Sequence, residues 1–67
     1  MTLDTTPRLS DPDALFALLI EAHRDLPDDE SRRLDAKLVL LLANHIGDMD
    51  VLRQALTLAR TQVTAAR

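Results

Sequence analysis

From Pro12 onward the apolar residues recur at spacings of three and four, the period of helices with one face turned inward. In DALFALLIEAHRDL, a helical wheel puts Leu15, Phe16, Leu19, Ile20, His23 and Leu26 on one face. Asp13, Ala17, Glu21, Arg24 and Asp25 make the other. The start is marked by Asp11-Pro12-Asp13: a capping carboxylate, a proline suited to the first helical position, and a negative charge at the positive helix end. Leu26-Pro27 ends the segment, because a residue before proline is pushed out of the α region.

A second helix begins within Asp28-Asp29-Glu30-Ser31, where the acidic turn suits the dipole and Asp28 is the candidate cap. It runs to Ile46 and stops at Gly47, placed where a left-handed C-cap is wanted. Asp48 then caps a third helix, with Val51, Leu52, Ala55, Leu56, Leu58, Ala59 and Val63 on its apolar side. The pattern predicts helices near residues 12–25, 29–46 and 49–65, joined as two helical hairpins, behind an extended arm over residues 1–10. In that arm Leu3 and Leu9 are free to dock. Residues 11–67 are expected to form a single all-α domain.

The middle helix differs from its neighbours. Arg33, Lys37 and Asn44 fall in one narrow stripe, and leucine, valine, isoleucine and alanine cover most of the remaining circumference. A helix apolar nearly all round is buried on most sides, so helix 2 is expected to be central. Two short helices cannot cover it fully, and dimerisation into a larger bundle is expected to complete the fold. Arg33, Lys37, Leu40, Leu41 and Asn44 are the candidate partner interface.

Composition sharpens this reading. Fourteen leucines and nine alanines in 67 residues favour helix, and one glycine leaves little material for β-turns. A chain this short needs a restraint beyond its own core, and without cysteine that restraint is neither a disulfide nor a zinc-thiolate site. Oligomerisation remains. A net charge of −3, with no basic cluster longer than Arg32-Arg33, opposes nucleic-acid binding. The outward face of helix 3, with Arg53 and Arg60, makes only a weak helix-turn-helix reader. The longest apolar run, Leu38 to Ala43, is too short to span a bilayer, and no signal-peptide pattern opens the chain, so the expected location is the cytoplasm.

Candidate chemistry is thin. His23 and His45 could ligate a metal or move protons, but two helix-end imidazoles expected about 20 Å apart cannot share an ion within one chain. The carboxylates Asp11/Asp13, Asp28/Asp29/Glu30 and Asp48/Asp50 sit at helix starts, where capping explains them. No phosphate-binding loop, nucleophile elbow or zinc motif is present in the sequence. No catalytic residue, metal or cofactor is expected.

The stretches DPDALFALLIEAHRDL and LVLLLANHIGDMDVLRQAL, with the run Leu41-Leu-Ala-Asn-His-Ile-Gly-Asp48 at their centre, resemble domain of unknown function 2783, a family of short bacterial proteins. The resemblance spans Leu9 to Arg60 and carries over no catalytic residue. Members tend to be encoded beside flavin-dependent aromatic hydroxylases, which implies an accessory role in such a pathway. The expected function is a non-catalytic interaction protein that dimerises, docks on a larger enzyme, or both. The alternative is a small transcriptional or ligand-binding regulator.

Overall fold

The computed structural model describes residues 1–65, and positions 66–67 of the expected domain lie outside the described residues. Three helices follow the arm: α1 (Pro12–His23), α2 (Asp28–Ile46) and α3 (Met49–Ala65), with no strand among the described residues. The chain is all-α, as the apolar period predicts.

Local chemistry accounts for most of the boundaries. The Asp11 carboxylate accepts from the Ala14 N–H at 3.1 Å, with Pro12 in the first turn behind it. Gly47 closes α2 at φ 65°, ψ 19°, and donates its N–H to the Ala43 carbonyl at 2.9 Å. One residue later, the Asp48 carboxylate accepts from the Asp50 and Val51 N–H groups at 2.9 and 3.2 Å. The Val51 bond, with help from the Asp50 N–H and the Met1 ammonium 3.6 Å away, holds the Asp48 carboxyl below its ordinary pKa.

Two boundaries differ from the sequence reading. Helix α1 ends at His23, short of Asp25: Arg24 leaves the helical region at φ −58°, ψ 130°, Asp25 follows in the left-handed conformation at φ 61°, and the Leu26 N–H turns back to the His23 carbonyl. Aspartate tolerates that conformation better than most residues, so the chain leaves the helix before proline forces it to. Asp28 is not the cap of α2. Pro27 holds that position in extended geometry and its carbonyl receives the Ser31 N–H at 2.9 Å. With no capping side chain, the α2 N-terminus relies on the negative charges of Asp28, Asp29 and Glu30.

The helices enclose little. Among the described residues Val51 alone is buried, at 8% exposure, and Leu19, Leu26, Leu34, Leu38, Ala43, Leu52 and Ala55 are half-covered. The Cα radius of gyration is 13.6 Å, against about 11 Å for a compact domain of this length. The arm folds back to α3, where the Leu3 N–H donates to the Gln54 side-chain carbonyl at 3.1 Å. Leu3 is half-covered there and Leu9 stays exposed.

Candidate interaction surface

Two apolar clefts flank α2. The first lies between α1 and α2, with Leu15, Leu18, Leu19 and Ala22 on its α1 side. Its α2 side is Leu34, Leu38, Leu41 and Leu42, with Lys37 as the one charged side chain lining it among the described residues. The second cleft lies between α2 and α3, where Val39, Leu42, Ala43 and Ile46 face Met49, Leu52, Ala55, Leu56 and Ala59. Leu42 borders both. Apolar walls of this extent are left open because the helices touch one another little, and each wall exposes side chains that would be core in a closed bundle.

The stripe on α2 divides when placed on the structure. Lys37 and Leu41 line the α1–α2 cleft, whereas Arg33, Leu40 and Asn44 line neither cleft. Arg33 lies 3.8 Å from Asp29 and 3.9 Å from Glu30, exposed pairs of the kind that contribute little to stability. The α1 face turned to α2 is also rotated from the sequence reading. Leu18 and Ala22 line the cleft, while Phe16 and Ile20 are absent from it and remain 63% and 64% exposed. In LFALLI nearly every position is apolar, so periodicity alone could not choose the face; Met49, at the helix start, carried no signal either.

Both ring nitrogens of His23 have partners. Its Nδ1 lies 2.6 Å from the Leu19 carbonyl and its Nε2 lies 2.7 Å from the Asp35 carboxylate. Both neighbours accept, so the ring satisfies them together only as an imidazolium donating from each nitrogen. The Leu19 carbonyl first, and the Asp35 carboxylate second, raise its pKa above the ordinary value. This pair ties the end of α1 to the second turn of α2. Both nitrogens are engaged, which leaves neither as a metal ligand. His45 is exposed in the last turn of α2, ten positions beyond Asp35 and hence about 15 Å further along that helix. Among the described residues no three His, Cys, Asp or Glu side chains gather in a way that could hold a metal ion. Asp35 is the residue that sequence reasoning missed here, since only the α1–α2 geometry brings it to His23.

A family model described as "Protein of unknown function (DUF2783)" matches residues 3–61. The chain belongs to this family. The DUF2783 match extends from Leu3 in the arm to Thr61 in α3, so it takes in the Leu3–Gln54 bond, both clefts, the His23–Asp35 pair and the Gly47 corner. No curated protein and no solved structure matches the chain. No helix among the described residues is long and apolar enough to cross a membrane.

Proposed function

We propose that this DUF2783 chain works by binding protein through the apolar sides of α2 and catalyses nothing itself. The observation that supports this is the pair of leucine-rich clefts left open beside α2, next to an interior in which only Val51 is buried among the described residues. A binding surface needs an apolar centre with a polar rim, and the α1–α2 cleft with Lys37 at its edge has that make-up. Against an acid–base role stands the engagement of His23: its two nitrogens already serve Leu19 and Asp35.

The larger protein served is a flavin-dependent aromatic hydroxylase or a related enzyme of aromatic catabolism. That part rests on the genomic company of the family and is an analogy. The test is deletion of the gene followed by assay of the neighbouring hydroxylase. Reduced abundance or activity, restored by the wild-type chain, supports the accessory role; an unchanged enzyme removes it. Turnover by the isolated chain, lost in His23→Ala or His45→Ala, would overturn the non-catalytic reading.

A further inference from the structure

We infer that the α1–α2 cleft is closed by the same cleft of a second copy of this chain, in a two-fold dimer that folds as it associates. The inference rests on the protein-binding reading above and names the partner for one of its two clefts.

Area carries the argument. The chain exposes 6165 Å² at a mass of 7.5 kDa, whereas a compact monomer of that mass exposes about 4,200 Å². Each chain therefore shows about 1,900 Å² more than a self-sufficient fold would. Part of that excess belongs to the arm and part to the α2–α3 cleft. If only half of it is covered on each of two chains, the interface still totals about 1,900 Å², the size of a specific, stable contact. One buried residue among the described residues is too small a core for an independently stable domain, and the chain holds no cysteine to staple it. A second copy is the occupant that is present whenever the chain is.

The α1–α2 cleft is favoured over the other by size and chemistry. Its volume is about 740 Å³ against about 350 Å³ for the α2–α3 cleft. Leu18 and Leu41, on opposite walls, are 69% and 68% exposed, large apolar side chains that a facing copy would cover. A two-fold interface is self-complementary by construction, and closed symmetric dimers are the commonest soluble oligomers. Among the described residues no carboxylate lines the cleft, so pairing two copies brings no acidic like-charge contact there, and Lys37 can extend from the rim to water. The α2–α3 cleft then remains open in the dimer.

Sedimentation of the full chain tests this directly. The expected result is a species of about 15 kDa, twice the 7.5 kDa chain, and a Tm that falls with each tenfold dilution from about 100 µM to about 1 µM. Leu18→Glu and Leu41→Glu should dissociate it, whereas Leu56→Glu in the α2–α3 cleft should not. Dissociation by Leu56→Glu alone would overturn the choice of cleft. The wild-type measurement needs no variant: a folded monomer with a concentration-independent Tm overturns the inference outright. Dye binding then separates the two claims. A folded monomer that binds the hydrophobic probe ANS refutes the second copy and leaves the protein-binding reading standing, and one that binds none refutes both.

Discussion

Gly47 offers the cleanest test of how the corner between α2 and α3 is held. The residue sits at φ 65°, ψ 19°, and a Cβ built there would meet nothing closer than the Asn44 carbonyl oxygen at 3.7 Å, an ordinary contact. Steric clash is therefore absent and the cost of substitution is conformational. An L-residue held in the left-handed region loses about 1–2 kcal/mol, and removing glycine's freedom from the unfolded chain returns about 0.4–1 kcal/mol. Gly47→Ala should then destabilise by about 0.5–1 kcal/mol and Gly47→Val, with its branched Cβ, by about 1–2 kcal/mol. Gly47→Asn should cost less than either, since asparagine visits this region readily. In a domain of this size about 1 kcal/mol corresponds to about 4–8 °C in Tm, well within the resolution of circular dichroism melts. The melts must be run at one protein concentration, because association would shift Tm independently. Stability in the order Gly, Asn, Ala, Val supports the reasoning. Valine as stable as glycine, or asparagine as damaging as valine, would show that positive φ does not hold the corner.

Capping supplies a paired prediction: Asp11→Ala should cost about 1 kcal/mol in chemical denaturation, whereas Asp28→Ala should cost distinctly less, since Pro27 occupies the cap position. Equal losses would contradict the assigned boundary of α2. For His23 the folded pKa lies above the unfolded value of about 6.5, so its contribution is fully present below that pH and is lost as pH rises through the raised value. NMR titration should place the His23 pKa above about 6.5 and bring it down in Asp35→Asn; a value insensitive to that change would dismiss the ion pair. Asp48 has the opposite sign: its folded pKa is depressed, so its contribution holds above about 3.9 and disappears as pH falls into the depressed range. Gln54→Ala should free the arm, seen as faster amide exchange at Leu3 without loss of helix; unchanged protection would mean that the bond does not hold the arm.

What could be read from the chain follows the range of the interaction involved. Asp11, Gly47 and Asp48 act on residues within four positions, so their roles at the helix ends are explicit in order and spacing. Asp25 escaped notice because the proline two residues later masked the earlier, subtler exit through the left-handed region. The same near-sightedness misassigned Asp28, since a proline carbonyl can begin a helix without any capping side chain. The side that α1 turns to α2 depends on how two helices cross, and a run as uniformly apolar as LFALLI allows several answers. Asp35 was invisible for a related reason: twelve positions separate it from His23, and only the corner between the helices closes that gap.

The contact from His23 to Asp35 also bears on how quickly the molecule can organise itself. It closes a loop of about ten residues, an event of about 10–100 ns, and helices form within about a microsecond. The Leu3–Gln54 bond spans 51 positions and the Met1 ammonium reaches Asp48 at 3.6 Å, but both are contacts of the arm at the margin. A chain with so local a contact map has a low contact order and no slow internal pairing step. With a proposed second copy needed to finish the core, the slow event in refolding is the meeting of two half-formed molecules. The pace of folding would then be set by how many copies the cell makes at once rather than by the chain's own topology.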